Sequence, residues 1–170
     1  FLAREHTTLF SGLWKAGKTT LLAHLLRLCG IGGNLAGRID PCKALVVSEE
    51  SRGLWVRRRD DLGIGDHVAV LSRPFLARPR YGEWLGFIDH LAGLVRSDAY
   101  KLVVFDTITS AWPVPDENDA AAVLSALTPL HGLTAAGAAV LLVHHPRKGD
   151  AGEGQAARGS GALPGFVDII

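Results

Sequence analysis

The stretch GLWKAGKTTLL, Gly12–Leu22, decides how the rest of the sequence is read. Gly12, four residues, Gly17, Lys18 and Thr19 reproduce the spacing G-x-x-x-x-G-K-[ST]. An apolar run of strand length, HTTLF (His6–Phe10), precedes it, and leucines at helical spacing follow from Thr19 to Cys29. Strand, glycine loop and helix in that order make a phosphate cradle. The glycines let successive backbone N–H groups face one point, and the helix adds its positive N-terminal end. Lys18 is placed to reach the β- and γ-phosphates of ATP, and the Thr19 hydroxyl to take a position on Mg²⁺. Leu13, Trp14, Lys15, Ala16 and Thr20 complete the segment expected to wrap the nucleotide; Trp14 and Lys15 read as its variable positions, with cover for part of the nucleotide as the alternative role of Trp14.

Apolar runs of strand length recur along the chain. ALVVS (Ala44–Ser48) is followed by a charged helical stretch around Leu54–Leu62, and HVAVL (His67–Leu71) by a helix over Trp84–Val95. KLVVFD (Lys101–Asp106) leads to a helix from about Asp119 to Ala135, and AVLLVHH spans Ala139–His145. The closing FVDII reads as the start of a sixth strand. Short continuous apolar strands alternating with helices predict an α/β fold, a mainly parallel β-sheet with helices on both faces. A chain of 170 residues, 48% hydrophobic, suits one domain over residues 1–170 with a sizeable core. It opens without Met and stops inside FVDII, so trimming at the C-terminal end is expected. A formal net charge of +1 provides no overall field for nucleic acid or a membrane surface. No apolar run approaches the ~20 residues that cross a bilayer. Cys29 and Cys42 are too few for a disulfide framework and are expected as reduced thiols in a cytoplasmic protein.

A nucleotide site of this kind needs a carboxylate for its metal and a group that orients or deprotonates water. Asp106 ends an apolar strand, so it emerges at the carboxyl edge of the sheet, where open α/β folds bind ligands; its expected role is to hold Mg²⁺ through water beside Thr19. VVSEES puts Glu49 and Glu50 past another strand at the same edge, and alternation along an extended segment lets only one of them face the nucleotide. His144 and His145 end a strand with side chains on opposite faces, which disfavours one shared metal. A polar sensor at the sheet edge suits His145, which precedes the Gly-rich stretch Lys148–Gly161. Within or beside that stretch, Arg147, Lys148 and Arg158 suit contact with nucleic-acid phosphates. The run Arg57–Arg59, followed by Asp60 and Asp61, reads as a solvated helix face. In PDEND, Asn118 or Asp116 suits an N-cap for the alanine-rich helix that follows.

Three segments, GLWKAGKTTLL, KLVVFDTITSAWPVPDENDAAAV and LLVHHPRKGDAGEGQAARGSGAL, together resemble the RepA-like branch of RecA-type P-loop ATPases, over nearly the whole chain. The resemblance implies a RecA-like core, Mg²⁺-dependent ATP hydrolysis, assembly into a ring (a hexamer in the replicative helicases) and action on single-stranded DNA during replication. It implies a catalytic Glu after the second core strand, favouring Glu49 over Glu50. It also implies a γ-phosphate-sensing histidine at a strand end, matched best by His145 with His144 as the alternative. The family's DNA loop falls on Arg147, Lys148 and Arg158. Ring helicases of this branch complete each site with a neighbour's arginine from beyond the GSGAL region. The chain stops at Ile170 before that element, so tight ATP binding with poor hydrolysis is expected. A regulatory ATPase on the same core, acting on a partner protein, is the alternative reading.

Overall fold

Strands buried on both faces explain why these runs are apolar throughout rather than alternating. In the computed structural model, which describes residues 2–13, 15–145 and 161–170, β1 (Thr7–Ser11) leads through the glycine loop into α1 (Lys18–Ile31). A small hairpin, β2 (Gly33–Asn34) and β3 (Arg38–Ile39), precedes β4 (Lys43–Ser48), α2 (Arg52–Leu62) and β5 (Val68–Ser72). Then follow α3 (Tyr81–Asp98), β6 (Tyr100–Asp106), α4 (Ile108–Ala111) and α5 (Ala120–Leu127). A 3₁₀ turn at Thr128–Leu130, α6 (His131–Ala135), β7 (Ala139–His144) and α7 (Ala162–Phe166) complete the order.

The main sheet has the order β1-β7-β6-β4-β5, with every pair parallel. Alternate residues of its strands feed two cores. Leu45, Val47, Val103, Phe105, Val140 and Leu142 pack against α3, α5 and α6. Ala44, Val46, Leu102, Val104, Leu141 and Val143 pack against Leu22, Leu25 and Leu26 of α1 and Trp55 of α2. Helices therefore cover both faces, as the strand pattern predicts. Among the described residues, no helix is long and apolar enough to cross a membrane. Cys29 and Cys42 are free thiols, joined through their backbones by a 2.7 Å bond from Cys42 N–H to the Cys29 carbonyl.

Three expectations need correction. The helix expected from Asp119 to Ala135 is broken into α5, a 3₁₀ turn and α6, because Pro129 has no N–H to give the Ser125 carbonyl. The Tyr81 hydroxyl donates to that carbonyl at 3.3 Å, and the buried Trp84 indole N–H donates to Ala126 at 2.8 Å. The N-cap of α5 is Asp119, which accepts from Ala121 and Ala122 N–H at 3.0 Å; Asp116 instead binds Asn118. FVDII forms no full strand: Val167 ends α7, and Ile169 makes a single parallel bridge to Thr8 on the free side of β1.

Candidate functional site

Because all five strands run the same way, their C-terminal ends share one edge, and register fixes which ends are neighbours. Ser11 lies opposite His144, Val143 opposite Asp106, and Asp106 opposite Ser48. The glycine loop, the histidine pair, Asp106 and the glutamate pair are thereby set side by side. Their side chains enclose a cavity of about 320 Å³ reached by Lys15–Thr20, Glu49, Glu50, Arg58, Asp106 and His145.

The loop is built for an anion. Lys15 and Gly17 both take left-handed backbone angles, with φ of 59° and 81°, and this curls the chain around one point. Gly17 caps α1, whose first turn holds no acidic residue to offset its positive end. Lys18 is buried, and its ammonium donates to the carbonyls of Gly12 and, at 2.7 Å, Leu13. Burial lowers the Lys18 pKa, and the charge of Asp106 opposes that shift. Trp14 lies outside the described residues.

Opposite the loop, Asp106 is 2% exposed, and its pKa rises to about 6. Burial is the main cause, reinforced by the charges of Glu50 and Glu49, while a hydrogen bond from the Thr19 side chain and the Arg58 charge work against it. One carboxylate oxygen, Oδ2, has no hydrogen-bond partner. A buried, unsatisfied carboxylate oxygen beside a hydroxyl is a hard-oxygen donor set that fits Mg²⁺, which binds through one or two protein groups plus phosphates and water.

Glu49 and Glu50 both line the cavity, against the expectation that only one can face it. β4 ends at Ser48 and the chain bends at both glutamates, so strand alternation no longer applies. Their environments differ nonetheless. Glu49 is tied to the next strand end: its N–H donates to the Asp106 carbonyl at 3.0 Å, and its Oε2 accepts from the Thr107 hydroxyl at 3.1 Å. Arg73 Nε donates to the Glu49 carbonyl at 2.9 Å. Glu50 is occupied by Arg58, which binds both of its carboxylate oxygens. The carboxylate left facing the loop is Glu49.

The histidines divide as adjacent strand residues should. His144, 4% exposed, shares a 3.1 Å hydrogen bond with Glu117. His145 lines the cavity and bonds to the Gly12 backbone; burial and the Lys18 charge lower its pKa, which favours a neutral ring. Lys18 and His145 thus meet at Gly12. Arg147, Lys148 and Arg158 lie outside the described residues.

Two residues escape a reading from sequence: Arg58, which lines the cavity, and Thr107, which holds Glu49 there. Thr107 follows Asp106 directly, and a hydroxyl at that edge was signal enough. Arg58 belongs to a run read as a solvated face; Arg59 does pair with the exposed Asp66, but Arg58 turns inward to Glu50 across the Trp55 ring. Arg58 lies three residues from the buried Trp55, close enough along α2 for its guanidinium to rest on that ring.

A curled loop facing carboxylates at the end of a parallel sheet occurs in several classes of phosphate chemistry, and comparison with known proteins separates them. No curated protein matches the chain. A family model described as AAA domain matches residues 1–151, a span that contains every residue named as lining the cavity. With its parallel sheet of RecA-like P-loop type, the chain belongs to the AAA domain family and is an ATPase domain.

Proposed function

We propose that the chain is the motor domain of a RepA-like replicative DNA helicase, a ring-forming, Mg²⁺-dependent ATPase that couples hydrolysis to single-stranded nucleic acid. The observation that carries the hydrolytic part is the position of Glu49, fixed by Thr107 and facing the phosphate loop beside Asp106. Lys18 and the loop amides of Gly12–Thr20 bind and orient the phosphates. The Thr19 hydroxyl and Asp106 would hold Mg²⁺, which would supply positive charge to neutralise the phosphates. Glu49, held by the Thr107 hydroxyl and by its backbone bond to Asp106, orients the attacking water and accepts its proton. His145, neutral and between Gly12 and the segment that follows β7, reports the terminal phosphate to that segment. The nucleic-acid part rests on the resemblance of the HHPRK…GSGAL region, with Arg147, Lys148 and Arg158 as the phosphate contacts.

The test is ATP turnover by the full-length protein with and without single-stranded DNA. Lys18→Ala is expected to abolish nucleotide binding. Glu49→Gln is expected to keep nucleotide affinity and slow turnover by roughly 10²–10⁴-fold. Wild-type turnover in Glu49→Gln removes it as the base. Turnover that single-stranded DNA leaves unchanged removes the helicase reading in favour of an ATPase acting on a partner protein.

A further inference from the structure

Arg58 is the one arginine lining the described part of the phosphate cavity. Its guanidinium takes one N–H from each terminal nitrogen to the two oxygens of Glu50, the second contact at 2.8 Å, while a guanidinium carries five such donors. It lies over the Trp55 ring, with its central carbon 5.2 Å from the ring centroid. That ring is itself fixed, because its indole N–H donates to the Ser48 hydroxyl at 2.8 Å where β4 ends. The arginine side chain therefore has a rigid apolar surface beneath it, one anion that holds it and an open cavity on its other side.

We propose that Arg58 is the residue that distinguishes a nucleoside triphosphate from a diphosphate in this site. It leaves Glu50 for the terminal phosphate when that group is present and stays on Glu50 when it is absent. Three observations make the exchange physically reasonable. The Arg58–Glu50 pair is about a quarter exposed on each side, so water can reach both groups as they separate. A phosphate offers the planar fork the same bidentate geometry as a carboxylate, with more negative charge. Trp55 is tied to the Ser48 hydroxyl through its indole N–H, which gives the guanidinium an anchored ring face to move across. The inference rests on the nucleotide-site reading, from which its test separates it.

The test measures affinity of the full chain for ADP and for a non-hydrolysable ATP analogue, both with Mg²⁺, by calorimetry. Wild type, Arg58→Ala, Arg58→Lys and Glu50→Gln are compared, with Lys18→Ala as the site control and thermal melting to check folding. Arg58→Ala is expected to weaken the triphosphate analogue about 10-fold and ADP less than about 2-fold, a loss in keeping with a charged hydrogen bond. Arg58→Lys keeps the charge without the fork, so its preference is expected to fall between the two. Glu50→Gln loosens the competing partner and is expected to raise the triphosphate-to-diphosphate preference. Equal losses for both nucleotides in Arg58→Ala, or an unchanged preference in both Arg58→Ala and Glu50→Gln, overturn the assignment. If Arg58→Ala does not fold, the Glu50→Gln and Arg58→Lys preferences decide alone. Failure of the site reading looks different: wild type then binds neither nucleotide, or Lys18→Ala binds both as wild type does.

Discussion

At Asp106, burial works against ionisation: the carboxyl is held at about 6 instead of 3.8, and the single oxygen without a partner shows what the protein leaves undone. The sign of the consequence follows from proton linkage. Between pH 3.8 and about 6 the folded state keeps a proton that the unfolded chain has released, so this group favours folding most below 3.8 and loses that effect as pH rises through 6. The full difference is about 3 kcal/mol. In nucleotide-free protein with chelator present, Asp106→Asn is therefore expected to be more stable than wild type at about pH 8, by up to about 3 kcal/mol. The gap should close towards about pH 4.5. Urea melts at the two pH values check this, and a gap that does not change with pH sinks it. The same residue shows what sequence conveys at this scale. A polar group ending an apolar run has to lie at a sheet edge, so the position of Asp106 was legible, and the spacing of the glycine loop made those of Lys18 and Thr19 so. The choice between Glu49 and Glu50 was not legible from the residues themselves. It depends on Arg58, eight residues away and reached only because α2 folds back over the strand end.

Close approach between elements sets tolerances that propensity does not reveal. Gly30 lies inside α1, where alanine is ordinarily better by about 1 kcal/mol. A methyl group there would come within 2.8 Å of both ring nitrogens of His67, and the ring is anchored by its own 2.8 Å hydrogen bond to the Leu26 carbonyl. Gly30→Ala is expected to destabilise by about 1–3 kcal/mol, as overpacking does. Gly30→Ala/His67→Ala should lose less than the sum of the single changes. A denaturant double-mutant cycle measures this, and additive losses would rule out the clash. Element existence was legible wherever the apolar period was long: β4, β6, β7 and α3 differ from their expected bounds by a few residues at most. The failures have local causes. Pro129 divides a helix that α3 then repairs through Tyr81 and Trp84, while β2 and β3, two residues each, are too short to carry a period.

Across the whole molecule, the strand order does what no single element can. β7 comes last of the five in sequence yet lies between β1 and β6, which brings His145 beside Gly12 and both beside Asp106. Local patterns show that a parallel sheet forms and which ends share its edge, but the neighbours at that edge depend on crossovers that no local pattern encodes. The result is a site assembled from four strand ends, with a buried carboxylate and a buried ammonium that ligands would relieve. Binding of Mg²⁺-nucleotide should consequently stabilise the whole fold, since the unfolded chain has no such arrangement to offer. At 100 times the dissociation constant the gain is about 2.7 kcal/mol. For a domain of this size that corresponds to a rise in Tm of roughly 5–10 °C. Lys18→Ala should abolish the rise. Gly30→Ala should melt earlier than wild type but keep the full rise, because α1's far end takes no part in the cavity. Differential scanning fluorimetry across a nucleotide series separates the two behaviours. A rise that survives in Lys18→Ala would place the bound nucleotide somewhere other than this edge, and one that vanishes in Gly30→Ala would mean the site and the far end of α1 are not independent.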